Sequence, residues 1–244
     1  MRIAVLSDIH ANAQALEAVM GDVVSQGCEH VFCLGDIALA GPQPKEVIEY
    51  VMAQNTWTVI QGNTDKMIAQ FGPEVMEFLD AQYPIMANAM ADDVSIIDDS
   101  HRAYLAQLPP ILSLDVEGCT VLLTHGSPRA NNEDILPGMP LEYVEEIIQG
   151  TSEKLILCGH THVPCGYQTN TNQTVVNVGS VGRPMTKEPK ACYAIIDFSQ
   201  GSFEVRHRFV DYDNVLAAQI MSQRGFEGAD KLAELLLNPG QRHV

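Results

Sequence analysis

The stretch that decides the fold is Arg2-Ile3-Ala4-Val5-Leu6-Ser7-Asp8-Ile9-His10, close to the start of the chain. An apolar run that ends abruptly in polar residues is typical of a strand buried on both faces of a parallel sheet. In such sheets the carboxyl ends of the strands frame the ligand crevice. Asp8 and His10 are therefore expected at that rim.

The next part of the chain repeats this pattern. Apolar spacing predicts helices over residues 13–24 and over Pro44–Met52, the second with proline in its first turn. Buried strands are predicted over residues 30–34 and 56–60. A β-α-β-α-β series predicts a mainly parallel sheet with crossover helices.

The rest of the chain is organised differently. Residues 65–108 contain helical patterns without a convincing strand, and we interpret them as a helical insertion or cap. Glu117-Gly118 predicts a hairpin between strands over Ile111–Val116 and Cys119–Thr124. Further predicted elements are a helix over 141–148, a strand over 154–158, an antiparallel meander over 174–178, 192–197 and 203–209, and two amphipathic helices in 213–237. We expect one domain over 1–244 with two β-layers, in which 213–244 form a C-terminal helical extension.

The charge balance excludes several classes of protein. The chain has 14 Lys+Arg against 31 Asp+Glu, a net charge of −17. A sequence-independent binder of duplex nucleic acid or of anionic lipid needs a basic surface, so neither partner is expected. No targeting segment or membrane span is visible. The six scattered cysteines form no C-x-x-C pair and are interpreted as free thiols in a reducing cytoplasm.

Side chains able to bind metal follow five predicted strands. In order of those strands they are Asp8 and His10, Asp36, Asn63, His125, and His160 and His162. Oxygen and imidazole ligands without thiolate suit Mn, Fe, Co, Ni or Zn. Seven ligands exceed one tetrahedral site and indicate two ions, which in hydrolases lie about 3.5–4 Å apart. A carboxylate such as Asp36 could bridge them.

Sequence spacing suggests how these ligands could be grouped. Asp8 and His10 are two residues apart, so on an extended chain they point the same way, and His160 and His162 share that spacing. Each pair could supply two ligands to one ion. Taken singly, such short matches are frequent false positives, and only the joint pattern is informative. The remaining histidines, at positions 30, 101, 207 and 243, lack such partners and are interpreted as structural.

The ordered motifs Asp8-x-His10, Gly35-Asp36, Gly62-Asn63, His125 and Gly159-His160-Thr161-His162 resemble those of the calcineurin-like metallophosphoesterases. The resemblance covers about residues 1–212. It is strongest to the bacterial and archaeal branch of predicted phosphoesterases, of which the stretch Asn177-Val178-Gly179-Ser180-Val181-Gly182-Arg183-Pro184 is a marker.

The resemblance implies a fold and a mechanism. The implied fold is a four-layer α/β/β/α sandwich with a binuclear site between the loops of the two sheets. The implied mechanism is in-line attack on phosphorus by a metal-bridging hydroxide. The implied ligands are Asp8, His10 and His162 for the first metal, Asn63, His125 and His160 for the second, and Asp36 as the bridge.

One residue departs from the family pattern. Asp36, Asn63 and Thr64 are the catalytic candidates, but many relatives carry histidine where this chain has Thr64. In those relatives the histidine is thought to protonate the leaving oxygen or to bind the phosphate. Threonine is a very poor general acid, and such catalysis contributes about 10²–10⁴-fold. Good leaving groups, another proton donor or slow turnover are the open alternatives, and related proteins without that histidine tend to favour diesters.

Substrate contacts have competing interpretations. Asn12 either donates an amide hydrogen to a phosphoryl oxygen or caps the following helix. Arg183, in a glycine-rich turn, either makes a bidentate phosphate contact or is a solvated surface residue. Arg129 is a weaker candidate. Asp65 is either a turn residue or an acceptor that orients a ligand histidine.

The leading hypothesis is a metal-dependent phosphoesterase that hydrolyses a small phosphoester, with phosphodiesters favoured and Mn²⁺ the preferred ion. One alternative is a catalytically weak or inactive scaffold of the same fold, although such proteins usually lose ligands. Another is a protein phosphatase, which is disfavoured because the segment from Gly35 to Gly41 lacks the arginine of those enzymes. The sequence leaves the physiological substrate, the metal, the oligomeric state and the role of 65–108 open.

Overall fold

The computed structural model describes residues 1–240. Two mixed five-stranded sheets pack face to face. The first sheet contains, in spatial order, β10 (Ser202–Val210), β9 (Ala191–Ser199), β1 (Arg2–Leu6), β2 (His30–Cys33) and β3 (Thr58–Val59). The second contains β4 (Ile111–Val116), β5 (Cys119–Thr124), β6 (Leu155–Cys158), β8 (Thr174–Asn177) and β7 (Cys165–Gln168).

Helices cover the outer faces of both sheets. Those that pack on the first sheet are α1 (Ala13–Ser25), α2 (Pro44–Met52), α3 (Asn63–Ala69), α4 (Pro73–Gln82), α5 (Pro84–Ile96), α6 (Asp99–Gln107), α8 (Asn214–Ser222) and α9 (Ala229–Leu237). Helix α7 (Leu141–Ile147) packs on the second sheet. The predicted four-layer α/β/β/α sandwich is confirmed.

The two faces of strand β1 explain why its residues from Ile3 to Leu6 are all apolar. Ile3 and Val5 point into the layer between the two sheets, whereas Ala4 and Leu6 point towards the helices of the first sheet. All four side chains are at most 1% exposed. Because successive residues of a strand face opposite sides, a strand with helices on one face and a sheet on the other is apolar at every position. Full burial of each large aliphatic side chain stabilises the fold by about 1.5–3 kcal/mol.

The predicted meander is wrong. Strand β8 pairs in parallel with β6 in the second sheet, whereas β9 and β10 form an antiparallel hairpin in the first. Strand β7 was not predicted, and β3 has only two residues. The apolar character of a strand indicates that the strand is buried, but it does not indicate which sheet the strand joins. The hairpin of β4 and β5 and the helix Pro44–Met52 are confirmed at their predicted bounds.

Residues 63–107 form the helices α3–α6, and their apolar residues belong to the main core. Examples are Ile68, Met90 and Leu105, which are fully buried. The six cysteines are free thiols. Within residues 1–240, no helix combines the length and the apolar character needed to span a membrane.

Candidate metal centre

The two sheets bring their strand ends together at one place. Asp8 and His10 follow β1 and His125 follows β5, so they come from different sheets. Hydrogen bonds join the two sets of loops. The His160 backbone N–H donates to Asp8 Oδ2 at 2.9 Å, and His125 Nδ1 lies 2.8 Å from the Leu34 carbonyl. The predicted convergence of the strand ends is therefore present.

Two glycines allow this approach. A Cβ at Gly159 would lie 2.0 Å from Ser7 Oγ and 2.6 Å from Asp8 Oδ2, and a Cβ at Gly62 would lie 2.1 Å from Asp36 Oδ1. Neither position has room for a side chain. The glycines in these motifs therefore reflect the close contact of the backbone with the two carboxylates.

The backbone carrying the candidate ligands is unusual. Five of the seven have φ between 45° and 64°, namely Asp8, His10, Asp36, His160 and His162. This left-handed region is uncommon for residues other than glycine, and clusters of such residues are found at functional sites. Asp8 and His10 do converge, but the predicted reason, an extended chain, is wrong. Strand β1 ends at Leu6, and tight turns direct both side chains inwards.

The first group of ligand atoms consists of Asp8, His10 and His162, whose ligand atoms lie within 4.8 Å of one another. His162 Nε2 is 3.1 Å from both Asp8 Oδ1 and His10 Nε2. Asp8 and His10 thus lie together, as their spacing predicts. His162 joins them, whereas His160 does not.

The second group consists of Asp36, His125 and His160, with ligand atoms again within 4.8 Å. Asn63 lies beside them, because its Oδ1 is 3.0 Å from His125 Nε2. The alternative in which His160 and His162 serve one ion as a pair is therefore wrong. The left-handed conformation of both residues turns the two rings towards different groups.

Asp36 lies between the two groups. Its Oδ2 is 3.3 Å from His125 Nε2 in the second group and 3.7 Å from His10 Nε2 in the first. Its other oxygen, Oδ1, accepts a hydrogen bond from the Thr64 backbone N–H at 2.8 Å. The carboxylate is thus held by one oxygen and presents the other to both groups.

Backbone carbonyls orient three of the four histidines. The Nδ1 atoms of His10, His125 and His162 lie 3.1, 2.8 and 2.7 Å from the carbonyls of Leu39, Leu34 and Arg183, respectively. A carbonyl only accepts hydrogen bonds, so in each ring Nδ1 carries the hydrogen and a neutral ring has its lone pair on Nε2. This is how metal-binding histidines are commonly held.

The residues present fit a bound cation. Asp8 Oδ1 is fully buried and accepts no hydrogen bond. Near it, the Nε2 atoms of His10 and His162 face each other. Unpaired lone pairs packed together in a buried place are costly unless a positive charge lies among them.

Electrostatics lead to the same conclusion. Burial alone would raise the pKa of Asp8, but the imidazoles of His162 and His125 hold it well below its ordinary value. Burial likewise opposes ionisation of Asp36, yet His125 holds its pKa at about 2. Burial alone would lower the pKa of His125, but the carboxylates of Asp36 and Asp8 raise it to about 10. Two buried carboxylates thus attract positive charge, which a metal ion would supply in place of protons.

Asn12 does not face this site. Its side chain is fully buried, with Oδ1 accepting from the Ala15 backbone N–H at 3.1 Å and Nδ2 donating to the Gly182 carbonyl at 2.9 Å. The structure supports the helix-capping alternative for Asn12. The predicted phosphate contact is therefore withdrawn, because the amide is shielded and already bonded.

Thr64 also has a role other than the predicted one. Its hydroxyl donates to the Ala38 carbonyl at 3.1 Å, and its backbone N–H holds Asp36. Because the only hydroxyl hydrogen is engaged inside the protein, Thr64 is poorly placed to protonate a leaving group. Its contact with Asp36 is through the backbone.

Arg183 lies close to the first group, with its carbonyl bonded to His162. Its guanidinium contacts Met86, whose Sδ lies 3.9 Å from Nη1. Within residues 1–240 no carboxylate pairs with Arg183. Burial lowers the pKa of the group. Arg129, by contrast, pairs with Glu133 and Glu146.

Sequence reasoning missed several supporting contacts. The carboxylate of Asp65 accepts hydrogen bonds from the backbone N–H groups of Asp36, Ile37 and Gly62, so it orients loops and not a histidine. Ser180 Oγ donates to the Asp8 carbonyl at 2.8 Å. The marker stretch around Ser180 was the signal that could have identified this residue. Asp134 Oδ1 lies 3.4 Å from His160 Nε2, and no motif points to it.

The structural interpretation of the other histidines agrees with their contacts. His30 lies 3.0 Å from Thr58 Oγ1, His101 caps helix α6, and His207 lies 2.7 Å from the Asn177 carbonyl. His243 lies outside the described residues.

Comparison with known proteins identifies a family. Residues 1–201 match the family profile described as the calcineurin-like phosphoesterase superfamily domain. An uncharacterized protein of Methanocaldococcus jannaschii is 31% identical over 225 residues, which cover 86% of this chain and 88% of that protein.

Two solved structures are similar over nearly the whole chain. A metallophosphoesterase from Sphaerobacter thermophilus has a TM-score of 0.76 and 26% identity, covering 97% of this chain and 98% of that one. A hypothetical protein from Pyrococcus horikoshii OT3 has a TM-score of 0.86 and 24% identity, covering 99% of both chains. These similarities extend beyond residue 201, into the C-terminal helices.

Proposed function

This chain belongs to the calcineurin-like phosphoesterase superfamily, and from that premise we propose that it hydrolyses a small phosphoester at a binuclear metal centre, with phosphodiesters favoured. The observation that carries the proposal is the place of Asp36 Oδ2, 3.3 Å from His125 Nε2 and 3.7 Å from His10 Nε2. A carboxylate oxygen between two sets of ligands is suited to bridge two divalent ions.

The proposed ligands divide into two sets. Asp8, His10 and His162 would hold one ion, Asn63, His125 and His160 the other, and Asp36 both. Such oxygen and imidazole donors suit Mn²⁺, Fe²⁺, Co²⁺, Ni²⁺ or Zn²⁺, of which we favour Mn²⁺. When bound, two such ions lower the pKa of water and neutralise charge during an in-line displacement at phosphorus.

The chain's own residues position the reaction. Backbone carbonyls fix the rings of His10, His125 and His162 so that Nε2 faces the centre. Arg183 supplies a guanidinium that pairs with no carboxylate in the described part of the chain, and such a group can bind two phosphoryl oxygens at once. We assign Arg183 the role of holding the substrate beside the ligands.

The position of Thr64 restricts the leaving groups that the proposed enzyme can use. Its hydroxyl is bonded to Ala38, so the residue that replaces the family's histidine offers no proton to a leaving alkoxide. Without that proton, hydrolysis depends more strongly on a leaving group that is stable as an anion. Aryl and nucleotidyl esters that release such groups meet this requirement, and the preference for diesters among them rests on the resemblance to related proteins without that histidine.

The test is metal content combined with turnover. Purified protein dialysed against Mn²⁺ should retain about two ions per chain, as a two-metal mechanism requires. It should hydrolyse bis(p-nitrophenyl) phosphate faster than p-nitrophenyl phosphate. Asp36→Asn should lower turnover by at least ~100-fold, since even residues that only support metal ligands contribute 10–100-fold.

Asp197→Asn is the matched control. Asp197 bonds Arg2 and Arg206 beside the start of β1, at the end of the strand away from the ligands. Exposed ion pairs contribute little to stability, so its loss should leave turnover nearly unchanged. A protein that binds none of these divalent ions and hydrolyses neither ester would contradict the proposal.

A further inference from the structure

The loop that carries Asp36 is held residue by residue. We call residues 36–41, between β2 and α2, the 36–41 loop. Its first half is held from α3, since Asp36 and Ile37 donate their N–H groups to Asp65 at 2.8 and 2.9 Å, and the Ala38 carbonyl accepts from Thr64 Oγ1.

The second half of the loop is held by residues far away in the sequence. The Leu39 carbonyl lies 3.1 Å from His10 Nδ1, so Leu39 sets the orientation of a proposed metal ligand. The next residue, Ala40, donates its N–H to Asp93 Oδ2 at 3.1 Å. The Gly41 carbonyl accepts from Arg224 Nη1 at 2.6 Å.

This half of the loop has an unfavourable backbone conformation. Leu39 has φ of 83° and Ala40 has φ of 59°, in the left-handed region. Such a conformation costs an L-residue about 1–2 kcal/mol. The loop therefore needs outside contacts to keep the Leu39 carbonyl directed at His10.

Asp93 and Arg224 form a buried ion pair that meets this need. Asp93 lies on α5 and is fully buried, and Arg224, just after α8, has a side chain only 5% exposed. Arg224 Nη1 is 2.6 Å from Asp93 Oδ1. One member of the pair therefore binds the N–H of Ala40 and the other the carbonyl of Gly41, on consecutive residues.

Stability alone is a weak explanation for this pair. Removing two charges from water largely offsets their attraction, and apolar replacements of buried ion pairs are often neutral or stabilising. A directional role explains the charges better, since both members bond the backbone of a strained loop next to a ligand.

We propose that Asp93 and Arg224 are positioning residues for the first group of ligands. They hold Ala40 and Gly41, which keeps the Leu39 carbonyl on His10 Nδ1 and the His10 ring in place. Helix α5 and the segment that follows α8 thereby support the first group of ligands through the 36–41 loop. The inference rests on the proposed function, because it assigns its effect to a metal bound by His10.

The experiment compares two substitutions of one residue. Asp93→Asn and Asp93→Ala both remove the charge, but only the alanine removes the acceptor for Ala40 N–H. Two quantities are measured, namely Mn²⁺ affinity by calorimetric titration and amide hydrogen exchange of residues 36–41 without metal. Circular dichroism establishes that both variants are folded at the chosen temperature.

Asp93→Ala should weaken one of the two Mn²⁺ binding steps by about 10-fold, at the lower end of the effect of residues that support ligands. The other binding step should be weakened clearly less than this. Amide hydrogen exchange in the 36–41 loop should be faster in Asp93→Ala than in Asp93→Asn. Asp93→Asn should also keep a near-normal affinity for Mn²⁺. If Asp93→Ala does not fold, Arg224→Met should show the same selective loss.

Asp22→Ala is the control, because Asp22 pairs with Arg208 and Tyr193 away from the loop. It should destabilise the fold without selective loss of one ion. If Asp93→Ala leaves Mn²⁺ binding unaltered, or weakens both binding steps equally, this inference is wrong. The proposed function would not be affected by either result. Absence of Mn²⁺ binding by the unaltered chain would overturn the proposed function as well.

Discussion

The Nε2 atoms of His10 and His162 face each other at a distance of 3.1 Å. Both rings direct Nδ1 to a backbone carbonyl, of Leu39 and of Arg183 respectively, so both present a lone pair to the other when neutral. Asp8 Oδ1, 3.1 Å from His162 Nε2, adds negative charge at the same place. Lone pairs and negative charge so close together favour a positive charge among the three atoms.

Metal ions should therefore stabilise the folded chain. At a free Mn²⁺ concentration 100 times the dissociation constant, one ion adds about 2.7 kcal/mol to the free energy of unfolding. Each kilocalorie should raise the melting temperature by about 2–4 °C for a chain of this size. Differential scanning fluorimetry with Mn²⁺ and then with excess EDTA measures the effect. His162→Ala should lose part of the shift and His30→Ala should keep it, whereas equal shifts in both would contradict this prediction.

Arg183→Met should lower kcat/KM more than it lowers the stability of the fold. A hydrogen bond to a charged group contributes about 1.5–3 kcal/mol, so kcat/KM for the aryl diester should fall by about 10- to 150-fold. Steady-state kinetics with saturating Mn²⁺ measures the ratio. Arg129→Met removes a guanidinium that already pairs with Glu133 and should change kcat/KM little. An equal effect of both substitutions would exclude a specific role for Arg183.

Thr64→Val should retain catalysis. The substitution keeps the backbone N–H that binds Asp36 but leaves the Ala38 carbonyl without its partner, at a cost of about 1–3 kcal/mol of stability. We expect kcat to change far less than the ~10²–10⁴-fold that loss of a general acid produces. Urea unfolding and initial rates test the two expectations, with Thr64→Ser as the variant that keeps the hydroxyl. A collapse of kcat in Thr64→Val alone would restore Thr64 as a proton donor.

The protein should lose stability in mild acid partly through His207. Burial lowers the pKa of His207 below its ordinary value. The unfolded chain then takes up the proton near the usual pKa of about 6.5, whereas the folded chain takes it up only at lower pH. The free energy of unfolding therefore falls as the pH drops through that range. His207→Gln can still donate to Asn177 and should lose less stability between pH 7.5 and 5.5 in urea titrations. An unchanged pH dependence would show that His207 does not contribute.

Several parts of the structure follow from local sequence. The apolar run before Asp8 predicts a buried strand, and Pro44 marks the start of the second helix, because both signals lie within a few residues. The ends of such strands also identify Asp36 and His125 as candidates. The four-layer sandwich, however, was an implication of the family resemblance. Local patterns by themselves placed β8 in the wrong sheet.

The grouping of ligands was beyond local reasoning. Spacing of two residues places His160 near His162 along the chain, but the left-handed turns send the rings to different groups. The same limit applied to Asn12, where burial decided between a cap and a phosphate contact. Spacing fixes distance along the chain and not the direction of a side chain.

The sequence by itself determined the buried strands, the set of side chains able to bind metal and the absence of a histidine after Asn63. These are properties of single residues and short runs, set by hydrophobicity and side-chain chemistry. Only the tertiary structure decided that Asp36 lies between two groups, that Thr64 turns its hydroxyl inwards, and that Asp93 and Arg224 meet at the 36–41 loop. Those outcomes depend on contacts between residues far apart in the chain, whose geometry is fixed only when the two sheets and their helices pack together.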